Sequence, residues 1–185
     1  MLSPRQIFLQ NIGQTTDQPL AIEIEKAEGI YLYDSSGKDY IDLVSGVSVS
    51  NVGHRHPRVV EAVKEQLDKH MHLLVYGELV QYPQVRFARL LLDHLPGKFD
   101  NVYFVNSGSE ANEGALKLAK RFTGRTEIVA CHHAYHGSTH GTLSLMGDEQ
   151  FRNPFRPLLP DIRYIHFNQE EDLQYITERT ACVMV

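Results

Sequence analysis

A chain of 185 residues, 42% hydrophobic and 22% charged, is long enough to bury a core and too apolar for a disordered polymer. Its formal net charge of −5 leaves no polycationic face and argues against a nucleic-acid partner. No run of about 18 apolar residues and no apolar leader occurs, so no membrane is expected; Cys131 and Cys182 each sit in an apolar run and read as reduced residues of a cytoplasmic protein.

In chain order, the first pattern is alternation. In "AIEIEKAEGIYLYDSSGKDYIDL", Ile22 and Ile24 face one way and Glu23 and Glu25 the other; Ile30 to Tyr33, a turn at Asp34 to Gly37, and Tyr40 to Leu43 follow. This predicts a small antiparallel meander. The Gly-rich "SGVSVSNVGHRHP" connects it to a helix opened by Pro57, with Val59, Val60, Val63, Leu67, Met71 and Leu74 on one face. A second helix starts near Pro83, carries Val85, Ala88, Leu91, Leu92 and Leu95, and stops at Pro96-Gly97.

From Asn101 the grammar becomes strand, helix, strand. Val102 to Val105 is a short apolar run, Ala111 to Phe122 is helical, and "EIVAC" (Glu127 to Cys131) is apolar again, which predicts a β-α-β unit and a parallel sheet. Along that helix Ala111, Ala115, Leu118, Ala119 and Phe122 form the stripe expected against the sheet. "IRYIHF", a helical "EEDLQYITER" and "TACVMV" continue the alternation. The last run stops at Val185 with no closing element, so the sheet is expected to be incomplete: a fragment, or a chain that needs a partner.

The corner at Ser107-Gly108-Ser109 is where chemistry is expected. Ser107 and Glu110 are spaced as a capping box, and Ser109 is an alternative N-cap. A helix N-terminus offers unpaired N–H groups and a partial positive charge, and Gly108 lets an anion approach the backbone closely. Capping alone would also call for these residues. Neither a G-x-x-x-x-G-K-[ST] nor a G-x-G-x-x-G motif is present, so a single phosphate on a small cofactor fits better than a nucleotide. In "CHHAYHGSTH", His132, His136 and His140 stand at i, i+4 spacing beside Cys131, a pattern open to a metal reading; Gly137 and Gly141 argue against the continuous helix it needs, and no metal is expected.

"FVNSGSEANEGALKLAKRFTGRTEIVACHHAYHGSTHGTLSL", with "GIYLYDSSGKDYIDLVSGVSVSNVGHRHPRVVEAVKEQL" upstream, resembles the class III pyridoxal-phosphate aminotransferases of the ornithine and acetylornithine type. The resemblance is dense from about Gly29 to Gly147. It implies the α/β fold-type I architecture: residues 1–53 contributing to a small domain, and 54–185 forming the first part of the large cofactor domain, truncated. It implies pyridoxal 5'-phosphate as cofactor, with Gly108 and Ser109 on its phosphate, Tyr135 stacked on its ring and His136 lining the pocket. Transfer of an amino group to a 2-oxo acid in a ping-pong cycle, by a homodimer, is the activity implied. The catalytic lysine of such enzymes would fall beyond Val185, so the chain alone is expected to be inactive.

Many members carry an arginine two residues after the motif's histidine to clamp a substrate carboxylate; here Ser138 stands in its place and puts the identity of the amino donor in doubt. Val47, within "SGVSVS", would be an apolar wall on the substrate side, and His54 and His56 would be positional. Two alternatives stay open: a non-catalytic half that assembles with a complementing polypeptide, and another enzyme of the same cofactor class, such as an aminomutase.

Overall fold

The protein is described by a computed structural model covering residues 2–74 and 77–185. It divides into two compact units, Met1–Val80 and Gln81–Val185.

The first unit opens with helix α1 (Pro4–Asn11), which the sequence pattern did not announce. Ser3 and Gln6 close a full capping box on it, with Pro4 in the first turn. Strands β1 (Ile24–Glu28), β2 (Tyr31–Asp34) and β3 (Asp39–Ile41) form the expected antiparallel meander in the order β1-β2-β3. Asp34 shapes the turn between β2 and β3, accepting from the N–H groups of Ser36 (2.9 Å) and Lys38 (3.0 Å). A one-turn segment α2 (Ser45–Ser48) follows, then helix α3 (Pro57–Leu67). Val59, Val63 and Leu67 on the apolar face of α3 are about half exposed within this chain.

The second unit holds every fully buried hydrophobic residue among those described. After helix α4 (Tyr82–His94) comes α5 (Gly108–Thr123), closed by Gly124 in the left-handed region at φ 70°. The parallel sheet has the order β5-β4-β6, with β4 (Glu127–Cys131) central and buried at all five positions, between β5 (Ile162–Ile165) and β6 (Thr180–Met184). Short helices α6 (His140–Ser144) and α7 (Glu149–Arg152) lie in the β4–β5 connection. The core joins Leu116 of α5 to Ile128, Ala130 and Leu145. Cys131 and Cys182 are both free thiols.

Three expectations change. The run Val102–Val105 is not a strand, and the parallel sheet among the described residues is built from the last three strands. Only Glu170–Tyr175 of the expected last helix is helical, as a 3-10 segment. The stripe of α5 is also a different one: Leu118 and Phe122 are 67% and 87% exposed, whereas Leu116 is buried and Asn112, Glu113 and Thr123 are half-buried on its side. The helix turns its more polar flank inward because that flank has hydrogen-bond partners waiting for it.

Candidate functional site

The site begins with how α5 starts. Ser107, in an extended conformation, is the N-cap, and its hydroxyl accepts the Glu110 N–H at 3.1 Å. The Glu110 carboxylate does not close the box on Ser107; it takes the Asn106 N–H at 2.6 Å. Ser109 is therefore the second helical residue rather than the cap. The N–H groups of Gly108 and Ser109 donate to no acceptor among the described residues, as is usual for first-turn amides of a helix. A Cβ built on Gly108 would meet no atom within 4 Å. Open space and two free amides thus occur together at the start of a sixteen-residue helix.

The second wall comes from the connection after β4. His133 turns the chain at φ 62°, and Tyr135 follows, 69% exposed, with its hydroxyl 3.1 Å from Ser138 Oγ. His136 points inward. Its N–H donates to Met146 Sδ at 3.4 Å, its carbonyl accepts from Asn112 Nδ2 at 2.8 Å, and its Nε2 is buried without a partner. Burial holds the His136 pKa below the usual histidine value, so the imidazole is neutral near pH 7. Gly137 adopts φ 128°, and a Cβ there would stand 2.1 Å from Ser109 Oγ. The turn is thereby pressed onto the first turn of α5. Gly108, Ser109, Tyr135, His136 and Ser138, each singled out in the sequence, lie together around this junction.

Sequence reasoning missed the two residues that hold the junction. Asn112 bonds the carbonyl of His136. Glu113 Oε1 accepts from Thr139 Oγ1 (2.6 Å), the Gly141 N–H (2.9 Å) and the Thr142 N–H (3.1 Å). Thr139 is the N-cap residue of α6 but its own side chain caps nothing, so Glu113 satisfies that helix start from another helix. The one available hint was a polar pair, Asn112-Glu113, inside an otherwise apolar pattern.

No group of three or more histidine, cysteine, aspartate or glutamate side chains among the described residues could hold an ion. His132 instead lies beside the ring of His166, with centroids 4.6 Å apart.

Val47 belongs to the first unit, in a run where Ser45, Gly46, Val47 and Ser48 have φ of 53°, 62°, 61° and 63°. Asp42 anchors this run. Its Oδ1 accepts from the N–H groups of Val44 (3.1 Å) and Ser45 (2.8 Å), and its Oδ2 meets His54 Nε2 at 2.7 Å. The Ser45 N–H first, and His54 next, hold the Asp42 carboxyl below its ordinary pKa.

Known proteins place this arrangement in context. The family model described as "Aminotransferase class-III" matches residues 12–184. The chain is 41% identical to the acetylornithine aminotransferase of Methanopyrus kandleri over 167 residues, covering 89% of this chain and 42% of that protein. It is 41% identical over 179 residues to the Bacillus cereus protein of the same name, covering 96% and 44%. Among solved structures, the taurine:2-oxoglutarate aminotransferase of Bifidobacterium kashiwanohense, in complex with PLP and glutamate, superposes with a TM-score of 0.83 at 29% identity, over 96% of this chain and 46% of that one. The chain thus spans less than half the length of these relatives.

Proposed function

The chain belongs to the class-III aminotransferase family, and from that premise we propose that it carries the phosphate- and ring-holding part of a pyridoxal 5'-phosphate site, serving transfer of an amino group between an amino donor and a 2-oxo acid. One observation carries this reading: a helix start with open space at Gly108 and free Gly108 and Ser109 amides has docked on it, Gly137 against Ser109, the turn that carries the exposed Tyr135.

In this reading the first turn of α5 takes the phosphate. The dipole contributes about 0.3 to 2 kcal/mol, and charge-assisted hydrogen bonds from the Gly108 and Ser109 amides supply the rest. Tyr135 covers one face of the ring, a stack worth about 0.5 to 1.5 kcal/mol beyond area burial, and fixes its plane. His136 lines the pocket as a neutral group. Bound there, the cofactor would supply an electron sink for the bond broken at the substrate's Cα.

We assign Ser138 and Val47 to the substrate side, where position 138 offers a neutral hydroxyl in place of a guanidinium. The donor's carboxylate, if it has one, is then held by another cation. Residues 1–53 are assigned to the small domain and the rest to the large one, the catalytic lysine is expected beyond Val185, and the working unit is taken to be a cytoplasmic homodimer. No helix among the described residues is long and apolar enough to cross a membrane.

Replacing Gly108 tests the reading, because a Cβ there meets no atom of the described residues within 4 Å. Gly108→Leu in the full-length polypeptide should weaken cofactor binding by about tenfold or more, because its side chain would fill the space through which the phosphate reaches the amides, with an unchanged melting temperature. Absorbance titration with pyridoxal 5'-phosphate measures it. Equal affinity of the two proteins would refute the assignment.

A further inference from the structure

We propose that Glu113, with Asn112 beside it, is the positioning residue that sets the ring of Tyr135 over the cofactor by clamping the Tyr135–Thr142 segment to the helix that receives the phosphate. The inference rests on the function proposed above, and goes beyond it by assigning the alignment of two cofactor contacts to side chains that touch no cofactor.

The geometry is a two-point clamp. Asn112 grips the segment just after Tyr135, through the His136 carbonyl at 2.8 Å. Glu113 grips its far end, with three donors converging on one oxygen at 2.6 to 3.1 Å. Both grips come from the second turn of α5, one turn beyond Gly108 and Ser109. Any displacement of the segment along the helix must break both together. Glycine is demanded wherever the two surfaces meet: a Cβ on Gly137 would strike Ser109 Oγ at 2.1 Å, and one on Gly141 would strike Glu113 Oε2 at 2.2 Å. Tyr135 itself is 69% exposed, and among the described residues its side chain has only Ser138 as a hydrogen-bond partner, so its place is fixed through the backbone that carries it. That backbone is what the clamp holds.

The test compares Glu113→Ala with Glu113→Gln in the full-length polypeptide, reading affinity for pyridoxal 5'-phosphate, circular dichroism induced in its absorption band, and melting temperature. The dichroism reports how the ring is held and is insensitive to stability as such. Glu113→Ala should weaken binding by about tenfold and reduce or invert the induced signal. Glu113→Gln keeps a carbonyl oxygen where all three donors converge, and should restore the signal with affinity within about threefold of the parent. If Glu113→Ala does not fold, Glu113→Asp keeps the charge but withdraws it by one methylene, and should give the altered signal instead. A lower melting temperature in Glu113→Ala with unchanged affinity and unchanged dichroism overturns the inference alone. Absence of binding by the parent protein overturns it together with the function it rests on.

Discussion

Two turns of this molecule are each held by one carboxylate, and they are held for different reasons. In the first unit Asp42 takes the amides of Val44 and Ser45 and the ring of His54, all within twelve residues. In the second unit Glu113 takes Thr139, Gly141 and Thr142, 26 to 29 residues away. The Asp42 turn is shaped by its own backbone: four successive residues lie in the left-handed region, and the nearest atom to a Cβ on Gly46 is Val49 Cβ at 3.5 Å. The Glu113 turn is shaped by what it is pressed against, with side-chain atoms of Ser109 and Thr142 within 2.8 Å of a Cβ on Gly137. Conformation decides one glycine; packing adds to conformation at the other.

Alanine at each glycine separates these causes. Gly46→Ala should cost about 1 kcal/mol, the penalty of one L-residue in the left-handed region with room for its methyl group. Gly137→Ala should cost about 3 kcal/mol, because an unfavourable φ and an overpacked junction add. Ser109 Oγ can rotate away from the new methyl, but Ser109 Cβ, 2.8 Å from it, cannot. Denaturant unfolding measures both. Equal costs would erase the distinction between the two turns.

The same contrast explains what could be read from the sequence. The meander, the start of α5 at Ser107, and strands β4, β5 and β6 were legible because capping and alternation act within a few residues. Gly108, Ser109, Tyr135, His136 and Ser138 were picked from spacing and from family resemblance, and the fold gathers them at one junction. Glu113 was not legible, since a carboxylate that caps a helix 26 residues downstream leaves no local period. Nor was the inward face of α5: Ala111, Ala115, Leu118 and Phe122 make the more obvious apolar stripe, and only the partners of Asn112 and Glu113 reveal which flank packs. Val102–Val105 has strand composition, but a ladder also requires a neighbour, which is a tertiary property.

Acid should act on the first turn through Asp42. Because its folded pKa is depressed, chiefly by the Ser45 N–H and then by His54, its contribution is fully present above the unfolded value of about 4 and is lost as pH falls through the folded value. Asp42→Asn keeps an oxygen for the two amides, which share Oδ1, while losing the charge opposite His54. The variant should be less stable than the parent at pH 7, and the gap between the two stability curves should begin to close as pH falls below about 4 and vanish only below the depressed folded value, where the parent carboxyl is neutral in both states. A gap that stays constant as pH falls well below about 4 would show that the charge contributes nothing.

The smallest expected effect is the most informative about cost. Val47 is β-branched and sits at φ 61°, a conformation that penalises such a residue by about 1 to 2 kcal/mol. Glycine removes that penalty but forfeits about 0.5 to 1 kcal/mol in the entropy of the unfolded chain. Val47→Gly should therefore stabilise the protein by about 0.5 to 1 kcal/mol. A turn that tolerates strain that glycine would relieve has some other reason to carry valine, and strain of this kind gathers where function fixes the backbone. If Val47 is an apolar wall on the substrate side, the glycine variant should gain stability and raise KM for the amino donor while cofactor affinity stays unchanged. Gain of stability with an unaltered KM would make Val47 a residue of the turn and nothing more.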